Sequence, residues 1–206
     1  MPTTQTRHIA GNPSRRQAII EAATAGFARA GYVETTVEQI ARFAGVSGAA
    51  IYYHFGGKQQ LFGSALKDAL DGFRNEVLAE RPAGSQSDLD KLRAGVRAGL
   101  LWWQSHPDEA RLVSRYSEGS TARAVLSRRD WEQHHLEQAL IFPYRVKRHD
   151  SAVQILTVRL ILDLILDTHA ASLPGEPLQR TSPAALSRSV EDLAVNLVEP
   201  LRPNHE

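Results

Sequence analysis

Apolar residues recur along most of this chain at three- and four-residue steps, the period of a helix that buries one face. Ile19, Ala23, Phe27 and Ala30 make such a face over residues 15–30. Val37, Ile40, Ala41 and Ala44 make a shorter one, and Ile51 and Phe55 turn inward from a helix over 48–54. Leu61, Phe62, Leu66, Leu70, Phe73 and Val77 follow one stripe through 58–79, and Leu89, Leu92, Val96, Leu100 and Trp103 another through 88–105. Further helices are predicted over 107–118, 121–142, 152–171 and 183–199. No stretch alternates with period two over a useful length, so no sheet is expected and the fold class is all-α.

Punctuation supports these limits. Ser14 with Gln17, Thr36 with Gln39 and Ser151 with Gln154 have the spacing of capping boxes, in which a hydroxyl and an amide satisfy free helix-start donors reciprocally. Gly31 and Gly45 fall where helices stop. Pro107 can occupy a first helical position, and Ser182-Pro183 opens the last helix. Residues 81–85, the charged run 145–150 and Pro174 to Pro177 read as connections.

The chain is organised around Thr36 to Leu61, two short helices joined by a tight turn. Gly45 ends the first and Ser47 caps the second. This is the grammar of a helix–turn–helix, whose second helix enters a DNA major groove. With Ile51 and Phe55 facing inward, Tyr52, Tyr53 and His54 point elsewhere, as hydrogen-bonding groups suited to a phosphate backbone. Lys58 opens the next helix, where its ammonium and free backbone N–H groups can meet one phosphate together. Arg15 and Arg16, cations in a helix's first turn, read equally as phosphate contacts or as a solvated pair. Arg7 and His8 lie in a polar N-terminal arm that either reaches a minor groove or is an unstructured tail. Phe43 falls on the outward face, with no reading preferred.

The run GVSGAAIYYHFGGKQQLF resembles the signature of the TetR family of one-component transcriptional regulators, and the resemblance covers about Arg15 to Phe62. Two positions depart from it. Ala49 and Ala50 stand where the family often has Gly-Thr, and Gly57 stands where a Ser, Asn or Asp cap is common. The resemblance implies an N-terminal three-helix DNA-binding domain, residues 1–62 with the arm, and a larger helical effector-binding and dimerisation domain, residues 63–206. Thr36, Ser47, Tyr52, Tyr53, His54 and Lys58 are expected at phosphates. Gly48, Ala49 and Ala50 approach base edges, where contacts are mostly to methyl groups, so Arg42, Tyr52 and DNA shape must supply further readout. The implied function is a repressor released from a pseudo-palindromic double-stranded operator by a small molecule.

In the body, the helix over 152–171 is apolar nearly all round, with Arg159, Asp163 and Asp167 as its one charged stripe. Such a helix needs cover on several sides. With Leu186, Val190, Leu193, Leu197 and Val198 of the last helix it can form a four-helix interface with a second chain, as the last two long helices of TetR-like proteins do. A two-fold dimer then places two recognition helices about one DNA turn apart. Aromatic residues gather in the body, where Trp102, Trp103, Tyr116, Trp131, His135, Gln138 and Phe142 are the candidate lining of an effector pocket. For each of them singly, core packing is the alternative. The resemblance implies the pocket, and the expected effector is largely apolar.

Charge and composition narrow the classes. Residues 1–67 hold seven Lys/Arg against three acids, whereas the rest hold 17 against 20, so a basic module sits on a mildly acidic body. With no cysteine there is no disulfide, thiolate nucleophile or Cys-ligated zinc. His134 and His135 project about 100° apart on a helix and do not readily chelate one ion, and His106, His149 and His169 are scattered, so no metal and no cofactor is expected. Asp163 and Asp167 read as ion-pair partners of Arg159 rather than as acid–base catalysts, and no nucleotide-binding, zincin or hydrolase motif is present. The chain is not read as an enzyme. The N-terminus lacks the apolar core of a signal peptide, and the longest apolar run, Leu160 to Ile165, is too short to cross a membrane, so a cytoplasmic protein is expected. The competing reading is a helical small-molecule-binding or catalytic protein in which the helix–turn–helix is only scaffold.

Overall fold

The structure is a computed structural model that describes residues 14–80, 87–117, 151–172 and 175–199. Arg7 and His8, the helix expected over 121–142 with Trp131, His134, His135, Gln138 and Phe142, and the connections at 81–85 and 145–150 with His149 lie outside the described residues, as do the side chains of Tyr116 and Arg159. The described residues form eight helices and no strand: α1 Arg15–Glu34, α2 Val37–Ala44, α3 Gly48–Phe55, α4 Lys58–Ala79, α5 Asp88–Ser105, α6 Pro107–Ser117, α7 Ser151–Ala171 and α8 Pro183–Val198.

The limits of α4 and α5 agree with the periodicity, because their apolar stripes are uninterrupted. In α1 the regular helix breaks at Gly31 as expected: Gly31 takes a positive φ of 84° with ψ 171°, and a further helical turn follows across this kink to Glu34. The kink is held from outside the helix, where the buried Thr35 hydroxyl lies 3.0 Å from the Gly26 carbonyl and 2.7 Å from that of Gly31. Ala30, expected in the core, is exposed, because the kink turns the helix away from its partner there. At the start, Ser14 Oγ accepts from Gln17 N–H at 3.2 Å, but the Gln17 amide does not close the box. It donates instead to Asp68 Oδ2 on α4, at 3.3 Å.

One hydrophobic cluster runs from Ile19 to Val198, and α4 is its axis. Its first half packs against α1, where Phe27, Tyr32 and Phe62 form a three-ring cluster with centroids 5.1–5.9 Å apart. Its second half packs against α5, where Phe73 stacks on Trp103 at 5.0 Å. Close approach there relies on two glycines. A Cβ at Gly72 would lie 2.6 Å from Trp102 Cζ2, and one at Gly99 would lie 2.7 Å from Phe73 Cε2. α6 packs on α1, α4, α5 and α7, and α8 packs on α5 and α7.

Polar clamps set the register of α8 on α5. Arg97 Nε and Nη2 donate to the two oxygens of the buried Glu191 at 3.0 and 2.7 Å, and Ser187 Oγ adds a third bond at 2.8 Å. Arg93 reaches Asp192 at 2.6 Å. A carboxylate this buried is tolerable only when its lone pairs are filled.

The Thr35 hydroxyl stands on one residue and ties together Gly26, Gly31 and the entry to α2. Thr35→Val keeps the shape and removes the hydroxyl, so unfolding free energy should fall by about 1–3 kcal/mol in urea denaturation. An unchanged midpoint would show that the kink does not need this hydroxyl.

Candidate nucleic-acid interface

The interface is built on two caps and a turn. Thr36 Oγ1 accepts from Gln39 N–H at 3.2 Å while Gln39 Oε1 accepts from Thr36 N–H at 2.9 Å, completing the box expected there. Gly45 takes the left-handed conformation, φ 66°, and Val46 N–H returns to the Ala41 carbonyl at 2.9 Å. Ser47 Oγ then accepts from Ala50 N–H at 3.2 Å and starts α3. Both hydroxyls use an oxygen lone pair as cap, which leaves each O–H proton able to donate to a phosphate.

On α3 the inward residues are buried, Ile51 fully and Phe55 nearly so. Tyr52 is 55% exposed, Tyr53 86%, and His54 is exposed with its ring edge-on to Tyr53 at 5.1 Å. Three polar rings thus stand in water on a helix only eight residues long. Gly48 faces open space, so the backbone at the start of α3 can approach a groove wall closely. Ala49 is exposed and Ala50 half-buried beside it.

Four cations belong to this face. Arg42 is exposed, and its guanidinium lies 6.0 Å from the Phe43 ring. Arg29, at the end of α1, approaches the same ring at 5.5 Å, so Phe43 is the exposed apolar floor of a two-arginine patch. The sequence pattern placed Phe43 outward but did not single out Arg29, because only the packing of α1 on α2 brings it there. Arg16 lies over Phe55 at 5.0 Å, with its charge at the edge of α3. Lys58 is more engaged than expected. Its ammonium donates to the Val33 carbonyl at 3.1 Å and sits 4.6 Å from the Tyr32 ring centroid. Gly57 before it makes no side-chain cap, as its lack of a side chain implied.

The residues singled out in the body fall elsewhere. Trp102 is nearly buried between Trp103, edge-on at 4.5 Å, and His106, stacked at 4.2 Å. Trp103 is fully buried against Phe73. Both are packed rings. Trp103 Nε1 nevertheless has no hydrogen-bond partner, and neither has the buried Nδ1 of His169 on α7. Burial first, and then the Arg111 cation, push the His169 pKa below its ordinary 6.5. Among the described residues no three His, Cys, Asp or Glu gather as metal ligands, and no helix is long and apolar enough to cross a membrane.

Comparison with known proteins agrees with the reading of the N-terminal helices. The sequence profile of the bacterial regulatory proteins, tetR family, matches residues 19–65, which include α2 and α3. The HTH-type transcriptional regulator BetI of Rhizobium meliloti is 30% identical over 114 residues, 55% of this chain. That match spans 56% of BetI, so the chain is aligned with little more than half of that relative. The HTH-type transcriptional repressor Rv1474c of Mycobacterium tuberculosis is 28% identical over 205 residues, covering 96% of this chain and 98% of the repressor. A tetR family transcription regulator from a Shewanella species superposes with a TM-score of 0.72 at 20% identity, covering 89% of this chain and 97% of that one, which establishes the likeness of fold.

His169 also gives a pH prediction. Its pKa is depressed in the folded chain, so the unfolded chain takes the proton first as pH falls below 6.5. Stability is therefore present above 6.5 and is progressively lost on acidification towards the folded pKa. Melting curves of wild type and His169→Asn between pH 7.5 and 5.5 should converge, with wild type losing more. Parallel curves would show that His169 is freely protonated in the folded protein.

Proposed function

We propose that the chain is a regulator of the TetR family, ligand-responsive and binding double-stranded DNA sequence-specifically as a homodimer, a reading supported by the match of its N-terminal helices to that family's profile. The observation that carries this reading is α3: one face is locked into the core by Ile51 and Phe55, and the other presents Tyr52, Tyr53 and His54 to solvent beside Arg42. A merely structural helix gains nothing from three exposed polar rings, whereas a helix lying along phosphates gains three positioned donors. Thr36, Ser47 and Lys58 are assigned to phosphates, and Gly48, Ala49 and Ala50 to close approach at base edges. The Lys58 ammonium keeps donors beyond the one given to Val33. The M. tuberculosis relative is named a repressor, which favours repression over activation.

The dimer is assigned to α7 and α8. Leu156 and Leu160 on α7 and Leu193 and Leu197 on α8 are 37–56% exposed. Four leucines open to water on two adjacent helices are a surface that association would cover, and a two-fold operator matches a two-fold dimer. Residues 1–62 then serve as arm and reading domain, and residues 63–206 as the effector-binding and dimerisation domain, working in the cytoplasm where the DNA is. Trp102, Trp103, Tyr116, Trp131, His135, Gln138 and Phe142 are assigned to the effector pocket. α4 joins the parts, so a ligand that favours one α4 position by a few kcal/mol shifts operator occupancy strongly.

Two measurements test this. Fragments of the source genome captured by the protein should include inverted repeats. The logarithm of affinity for such a fragment should fall steeply and linearly with the logarithm of salt concentration. Tyr52→Ala should weaken that binding about tenfold while leaving the dimer intact in sedimentation. A flat salt dependence, or full affinity in Tyr52→Ala, sinks the assignment of α3. Separately, the pair Leu160→Glu, Leu193→Glu should sediment as a monomer that still melts cooperatively. A dimer surviving both charges would move the interface off α7 and α8.

A further inference from the structure

Phe43 is 62% exposed, whereas the other phenylalanines among the described residues are buried. It stands in the last turn of α2, and two exposed arginines converge on its ring: Arg42 beside it at 6.0 Å, and Arg29 from α1 at 5.5 Å. Glu38 lies one turn before Arg42, at the spacing where a helix pairs opposite charges. Even so, among the described residues no ion pair takes up Arg42 or Arg29. The patch borders the reading helix. The Arg42 carbonyl accepts from Gly45 N–H at 3.3 Å in the turn that leads to Ser47, the cap of α3.

Two like charges gathered on one ring repel each other, and an anion between or beside them relieves that repulsion. A ring face attracts a guanidinium without neutralising it, so both arginines keep their full charge and their forked donors for an outside acceptor. The order along the patch is cation, apolar ring, cation. A nucleic-acid strand offers the complementary order: phosphate, the carbon edge of a sugar, phosphate. Arginine meets a phosphate through paired N–H bonds, and exposed phenylalanine gains by covering apolar carbon. An acidic protein surface would meet the charges but has no reason to seat an apolar group between them, and it would have to approach beside a helix already open to DNA.

We propose that Arg29, Phe43 and Arg42 form a clamp on the DNA backbone separate from α3, the two guanidiniums on successive phosphates of one strand and the Phe43 ring against the deoxyribose between them. This deepens the regulator reading, on which it rests. Phe43 is here a positioning residue, and Arg29 a DNA contact contributed by the C-terminal part of α1. The clamp bridges α1 and α2, so a bound strand braces the two helices that support α3. Its contribution is independent of base sequence and fixes how α3 lies in its groove. That suits a reading helix whose first residues, Gly48, Ala49 and Ala50, bring no hydrogen-bonding side chain to the bases.

The test uses the full chain and an inverted-repeat duplex captured from the source genome, with binding followed by fluorescence anisotropy across a salt series. Arg29→Met keeps the apolar stem and removes the charge. With two copies of Arg29 in the dimer, the slope of log affinity against log salt should become shallower by about two. Phe43→Leu keeps apolar bulk and every charge, so its slope should stay as in wild type while affinity falls about threefold or more. Duplexes carrying a neutral methylphosphonate at one position at a time then locate the contact. Wild type should lose affinity at two successive positions, with Arg29→Met insensitive at one and Arg42→Met at the other. Wild-type affinity and slope in Arg29→Met, the result expected of a patch reserved for an acidic protein or of a merely solvated one, overturn the clamp. If Tyr52→Ala weakens binding in the same experiment, the clamp falls and the regulator reading stands. If wild type captures no fragment, the regulator reading falls and the clamp with it.

Discussion

The burial of one long face of α4 is the constraint on which the rest of the structure depends. Leu61, Phe62, Ala65, Leu66, Ala69, Leu70, Phe73 and Val77 are all nearly or fully removed from solvent along it. Each large side chain of that row contributes about 1.5–3 kcal/mol against exposure, and no single partner helix could cover them all. α1 covers the beginning and α5 the end. The reading head and the body are consequently two sides of one core, and neither can shift against α4 without disturbing close packing. The Gln17–Asp68 bond and the Phe27–Tyr32–Phe62 cluster fasten one side, and the Gly72 and Gly99 contacts fasten the other.

Polar groups divide along the same line. On α2 and α3 Thr36 and Ser47 serve as caps and Tyr52, Tyr53 and His54 are exposed, so these groups retain hydrogen-bonding capacity. In the body, Glu191 is fully satisfied by Arg97 and Ser187, whereas Trp103 Nε1 and His169 Nδ1 are left without acceptors. A satisfied buried carboxylate holds α8 in register on α5. α6 connects the two regions, since it packs on α1 at one side and on α7 at the other.

Most of the helical architecture was legible in the chain, for a local reason. The caps at Thr36, Ser47 and Ser182, the left-handed Gly45 and the stripe of α4 are properties of residues within one or two turns of each other. The outward turn of Tyr52 and Tyr53 followed from where Ile51 and Phe55 had to point. The errors were just as instructive. Gly31 does break the helix, but the pattern did not show the further turn beyond it, beside which lie a hydroxyl four residues on and an aromatic cluster from α4. Gln17 has the spacing to close a capping box, yet it found a better partner 51 residues away.

By itself, then, the sequence determined the all-α class, the two caps and turn of the reading head, the inward and outward faces of α3 and the apolar excess of the last two helices. These rest on periodicity and on hydrogen bonds closed within a few residues. Tertiary structure alone decided that Arg29 joins Arg42 around Phe43, that Lys58 rests on Tyr32 and Val33, and that Arg97 finds Glu191. Each of those pairings spans a distance along the chain over which local spacing carries no information. The crossing of packed helices, set by the small residues Gly72 and Gly99 and by the aromatic rings they admit, chooses which distant side chains meet.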